Sequence, residues 1–321
     1  MEARRRLRRF LGVSLGLGSL GGVAACTDTI PKSLDGDLTR KVSPVPACVM
    51  RLPPKGKSSS FSRTLREDQY WKLVFPAFDE RRQELPKDSK DCTGHDVYAS
   101  EALQGGRPLR GWPFRIKEGD VVFGAGGSRL RLVWLRTHAY PDGTAGGALA
   151  LVRTLDNQAE AYGVGVYRGP PEQSKLRIER MGSEVIPTIQ SEGCLEPKSQ
   201  TPCETTLKIF LPRRGELRFA AEVPLERVGI ARNAEPGMGG PIVYRLTSSP
   251  EFKEGQINII EQVSAEDSLG RQLRKAELTR VLTLKEGHLD ESEPSLWTRV
   301  FETDNPPEGG DSEGVNPAGA Q

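Results

Sequence analysis

Histidine is scarce. The chain's three, His95, His138 and His288, stand far apart, so no His-Glu-x-x-His zinc helix and no His-centred ligand set is encoded. Cys-x-x-Cys pairs, Asp-rich calcium loops and a complete Gly-x4-Gly-Lys-Ser/Thr phosphate loop are also missing. No metal and no other cofactor is therefore expected. Nor is there an apolar run of the roughly 20 residues that a membrane-spanning helix needs. The longest candidate, from Phe10 to Ala25, is shorter than that and carries five glycines.

Excess charge is missing too. The chain has 45 basic and 43 acidic residues, but five arginines and one glutamate fall in residues 1–25, leaving 40 against 42. The remainder is close to neutral, which gives no reason to invoke a nucleic-acid partner.

What is present begins with that N-terminal stretch. An arginine-rich head (Arg4, Arg5, Arg6, Arg8, Arg9) precedes the apolar run, which ends in Val23-Ala24-Ala25-Cys26. This order describes a secretory signal. Small residues before a cysteine leave room for a peptidase, and the thiol is a nucleophile for diacylglycerol transfer. Val23 to Cys26 resembles the lipobox of bacterial lipoproteins. The resemblance implies that residues 1–25 are a signal peptide, that Cys26 is lipidated and that the membrane is a partner through this anchor. Thr27 stands where such lipoproteins carry an Asp as inner-membrane retention signal, so the outer membrane is the expected address. Residues 26–47 are polar and punctuated by Pro31, Pro44 and Pro46, a tether whose reach as flexible chain would be about 25 Å.

With Cys26 assigned to lipid, four cysteines remain, an even set for an oxidising compartment. Cys48 with Cys92 and Cys194 with Cys203 is the preferred pairing of three, closing loops that contribute about 4 and 2.7 kcal/mol by chain entropy.

Residues 48–301 read as a β-rich domain with a short helix near its start. Thr64-Leu65-Arg66-Glu67 predicts a capping box, and Leu65, Tyr70, Trp71, Leu73 and Val74 an apolar face. A second helical turn is expected from Asp79 to Leu85. From about Arg115 the period is two. Leu130–Leu135 and Ala148–Val152 are apolar on both faces and predict central strands, whereas Leu217, Phe219, Ala221 and Val223 predict one apolar face of a half-wet strand. Asp267-Ser268-Leu269-Gly270 joins two long runs into a hairpin. The expected fold is an all-β antiparallel meander forming a barrel or sandwich, with a β-propeller as the alternative. Residues 302–321 hold five acidic residues and no basic one, which predicts a disordered acidic tail.

Catalytic signals are weak. His95-Asp96 are adjacent, and neighbours on extended chain point to opposite sides, so they form no relay. Pro236-Gly237-Met238-Gly239-Gly240 resembles the glycine-rich loop of chymotrypsin-like proteases, but Met238 takes the serine's place and a thioether cannot attack a carbonyl. Glu261 and Glu277 would face each other across the long hairpin, where a solvated sheet face with arginine partners is the expected role. The stretch suited to binding is Gly105 to Arg115. Its Arg107, Arg110, Trp112, Phe114 and Arg115 could stack a sugar or hold an anionic polymer, whereas a buried Trp112 would plug the end of the fold. The reading is a non-enzymatic, lipid-anchored envelope protein, a binding or assembly module whose partner is an envelope protein or polysaccharide. An envelope glycan or peptide hydrolase and a structural subunit of an envelope complex are the alternatives.

Overall fold

The computed structural model describes residues 45–52, 64–86, 88–97, 115–125, 129–193, 204–231 and 240–302. In chain order these form β1 (Cys48–Arg51), α1 (Glu67–Val74), β2 (Val121–Phe123), β3 (Leu130–Ala139), β4 (Ala145–Thr154), β5 (Gln158–Gly169) and β6 (Ser174–Met181). There follow β7 (Glu184–Gly193), β8 (Glu204–Arg213), β9 (Gly215–Ile230), β10 (Val243–Lys253), β11 (Gln256–Glu266), β12 (Gln272–Lys285) and β13 (His288–Glu291), then a helical turn at Thr298–Glu302.

The turns explain why the strands meander. Arg213 pairs with Glu216, and the two residues between them, Arg214 and Gly215, have φ of 47° and 87°. Glu286 and Gly287, between the paired Lys285 and His288, repeat the pattern at 43° and 94°. Two consecutive left-handed residues match the twist of the strands they join, so each turn reverses the chain without splaying the ladder.

Among the described residues all strand pairs are antiparallel except one short contact, where Gly163 and Val164 of β5 run parallel to Gly215 and Glu216 of β9. The sheet is open, running from β13 through β12, β11, β10, β9, β5, β4 and β3 to β2, while β6, β7 and β8 branch from β9. It is not closed into a barrel. Instead the folded sheet stacks in layers. One face of β3, β4 and β5 meets α1 through Val133, Ala148, Ala150, Trp71 and Val74. Their other face meets β6 to β9 through Trp134, Leu149, Tyr167, Ile189 and Phe210. The far side of β6 to β9 meets β11 and β12 through Leu207, Ile209, Val223, Ile257, Ile259 and Leu282. Hence β3 and β4 are buried on both faces, as their unbroken apolar runs require. Where β5 crosses β9, Gly165 lies so close to Leu217 that no side chain would fit.

Three local expectations differ. α1 is capped at Arg66 rather than at Thr64 and starts at Glu67, and the Arg66 backbone N–H donates to Gln69 Oε1 at 3.0 Å. Residues Asp79 to Leu85 form a turn closed by the Asp79–Glu84 bridge, because Asp79 Oδ1 accepts the Arg81 and Arg82 N–H groups and competes with helix. In β9 the register shifts where Phe210 pairs Phe219 and Ile209 pairs Ala221, leaving Ala220 extra. This bulge turns the strand over. Leu217 joins the core beside Trp134, Val223 joins the one beside Ile257, and Phe219 stays exposed, although all three share one parity.

Candidate functional site

Along β11 burial alternates without a fault. Ile257, Ile259, Glu261, Val263 and Ala265 are buried, with half-buried residues between them. A carboxylate in that row needs compensation. Glu261, with none of its side chain exposed, accepts Arg280 Nε at 2.7 Å, the Leu296 N–H at 2.6 Å and Ser295 Oγ at 3.0 Å. Arg280 in turn donates to Glu291 at 2.9 Å. The network pins the C-terminal segment against the hairpin, where Trp297 and Phe301 cover Val263, Ala265, Ala276 and Tyr244. Glu277 lies on the other side of the sheet, exposed, with Gln262 Nε2 donating to it at 3.0 Å. The expected opposition of Glu261 and Glu277 is therefore corrected. Their register partners are Leu278 and Gln262, and Glu261 sits in the core rather than on a solvated face.

Beyond this pin the hairpin continues to an exposed end. Asp267 organises its turn, Oδ1 accepting the Leu269 and Arg271 N–H groups at 2.9 Å each. Those backbone bonds, the Arg271 one foremost, hold the Asp267 carboxyl below the usual carboxylate range. The turn presents Leu269, 77% exposed, and Leu273 just after it is 48% exposed. Beside them a shallow groove of about 260 Å³ runs between hairpin and C-terminal turn, lined by Val263, Ala265, Arg274, Lys275, Ala276, Arg299 and Val300. The nearby acids are engaged: Glu266 with Arg245 at 3.3 Å, Asp267 with Arg271 at 2.7 Å and Glu293 with Arg299 at 2.7 Å. An apolar tip beside a groove with basic residues in its lining is suited to a partner that offers apolar contact and negative charge.

Of the residues expected from sequence, Cys48 and Cys92 are joined in a disulfide, Cα atoms 5.9 Å apart, which ties β1 to the loop after α1. Cys26, Cys194, Cys203, Arg107, Arg110, Trp112 and Phe114 lie outside the described residues. Arg115 is exposed, and its carbonyl accepts Arg136 Nη2 at 3.3 Å. Just after it, the Ile116 N–H donates to Glu67 at 2.9 Å and Arg136 pairs with Asp120 at 2.6 Å, both side chains buried. Burial pushes the Asp120 carboxyl up, against the pull of the Lys117 N–H and Arg136. Arg115 and Ile116 are thus fixed between α1 and β3.

The other buried carboxylates are held in the same way. Asp91 accepts the Thr93 and His95 N–H groups, and Glu160 accepts Arg153, Gln158 and Tyr162. His138 is buried beside Thr137 Oγ1 at 2.7 Å, and burial pulls its imidazole below the ordinary value. Among the described residues no group of three or more His, Cys, Asp or Glu is arranged to hold a metal ion, and no helix is long and apolar enough to cross a membrane.

Sequence reasoning missed the hairpin end. A signal existed: Leu269 and Leu273 interrupt a turn rich in Arg and Lys, where polar residues are the rule. Comparison with models of protein families, with characterised proteins and with solved structures found no match.

Proposed function

We propose that this is a lipid-anchored protein of the cell envelope, held at the outer membrane through Cys26, whose β-domain is a binding or assembly module without chemistry of its own. The observation that carries the module reading is the hairpin end, with Leu269 and Leu273 exposed next to the groove that Arg274 and Arg299 line. The geometry of attachment agrees with it. Ala47, the last residue of the tether, packs on Gly215 at the start of β9, and Ile230 is the last residue of that strand. β9 is sixteen residues long, so the residue beside Ala47 and Ile230 stand at opposite ends of one strand. The arginines and Trp112 of the Gly105–Arg115 stretch form a second candidate surface in this reading. Against hydrolysis stands the use of the buried carboxylates: Asp91, Asp120, Glu160 and Glu261 all hold backbone or cation partners inside the fold.

The test has two arms. Cys26→Ala should move the protein out of the salt-washed membrane pellet; a variant that still pellets like its parent refutes the anchor. Leu269→Asp combined with Arg274→Glu should leave the fold intact and lose the envelope component that co-purifies with the detergent-solubilised parent. If Trp112→Ala loses that component and the hairpin variant keeps it, the binding surface is the arginine-rich stretch instead. A component retained by both variants refutes the two surfaces together.

A further inference from the structure

β12 has a free edge. β13 covers only Leu282 to Lys285, and the Ser292 N–H donates to the Val281 carbonyl at 2.9 Å. Among the described residues no strand pairs with the outer side of β12 before that point. Val281 also fixes which groups point outward. Its carbonyl accepts Ser292 and its N–H donates to Ser292 Oγ, both away from β11. Hydrogen-bonding direction alternates along a strand, so the N–H and C=O groups of Thr279, Glu277 and Lys275 face outward as well. An open, regular edge of this kind is a template for another strand unless something blunts it.

The side chains select the strand that fits. Ala276 and Leu278 turn inward to the core under Trp297, which puts Lys275, Glu277 and Thr279 on the exposed face. Lys275 has no ion-pair partner among the described residues, and Glu277 is met by the neutral amide of Gln262.

We propose that β12 pairs antiparallel with β12 of a second copy of this chain. In antiparallel pairing, residues whose backbone groups point outward must stand opposite one another. The register that obeys this rule with Ala276 on the twofold axis sets Lys275 opposite Glu277 of the second copy, and Glu277 opposite its Lys275. Both pairs exchange backbone hydrogen bonds and both are of opposite charge. The two neighbouring registers, with Lys275 or Glu277 on the axis, put like charges face to face, a destabilising arrangement. The strand is therefore self-complementary in one register and repulsive in the two adjacent ones. The contact is isologous and closed, so it ends at a dimer. It goes beyond the anchoring and partner-binding reading and depends on neither.

The test is sedimentation of the full chain, purified in detergent, at about 100 μM, a concentration at which an interface at the small end of the usual size range is populated. The parent should be dimeric. Lys275→Glu and Glu277→Lys, each placing like charges in both pairs, should weaken the dimer about tenfold or more. The double variant Lys275→Glu with Glu277→Lys restores the opposition and should dimerise like the parent. Unchanged thermal unfolding in all three variants shows that the fold is intact. A monomeric parent overturns the proposal. So does a dimer indifferent to the single reversals, or a folded double variant that stays monomeric.

Discussion

The C-terminal segment depends on Glu261 for its hold on the hairpin. Glu261→Ala removes the acceptor for Arg280 Nε at 2.7 Å, for the Leu296 N–H at 2.6 Å and for Ser295 Oγ. Arg280, 2% exposed, then keeps only the partly exposed Glu291 as an ion-pair partner among the described residues. Removing one member of a buried ion pair costs roughly 3 to 5 kcal/mol, because the other is left as an uncompensated charge. For a chain of this size each kcal/mol moves the melting temperature by roughly 2 °C, so the midpoint should fall by about 6 to 10 °C. Glu261→Leu combined with Arg280→Met removes both charges and should recover part of the loss. The remainder, about 1 to 3 kcal/mol, reflects the Leu296 N–H left without an acceptor. Thermal unfolding followed by far-ultraviolet circular dichroism reads the midpoint, and the near-ultraviolet signal reports Trp297 settling or loosening on the hairpin. An unchanged midpoint for Glu261→Ala would show that the charge pair carries no net stability. A double variant less stable than the single one would refute the argument from the uncompensated arginine.

Other predictions follow from separate parts of the molecule. Cys48→Ser with Cys92→Ser should lower stability in denaturant by up to about 4 kcal/mol, and reductant should lower the parent to the same level; a parent insensitive to reductant refutes this. His138 is buried with its imidazole held below 6.5, so the unfolded chain binds its proton at a higher pH than the folded one. The stability from neutral His138 is complete above pH 6.5 and lost as pH falls from there through the folded value. His138→Gln should flatten the melting temperature between about pH 7.5 and 5 relative to the parent; parallel curves for the two proteins would sink the assignment.

Periodicity made the strands legible, because alternation and unbroken apolar runs report burial directly. Leu130–Leu135 and Ala148–Val152 fall in β3 and β4, buried on both faces, and the hairpin around Asp267 to Gly270 forms where its turn residues stand. Illegible were features that break the period or depend on distant chain. The bulge at Ala220 reassigns Val223 to another core, although the run from Leu217 reads as a single face. Glu261 looked like a surface acid because its compensation comes from Ser295 and Leu296, 34 and 35 residues away. α1 began late for a local reason: Gln69 accepts the Arg66 N–H, a role the Thr64-to-Glu67 spacing had assigned elsewhere.

β9 has one more consequence, a mechanical one. It is bonded to β8 along most of one edge, while its other edge meets β5 at the start and β10 at the end. A pull between β5 at its start and β10 at its end would run lengthwise down this strand. Its ladder bonds lie across the direction of force and share the load together, in shear, instead of peeling open one after another. The layers on either side would give way only when that whole ladder slides, so the strand that divides the domain topologically is also its load path.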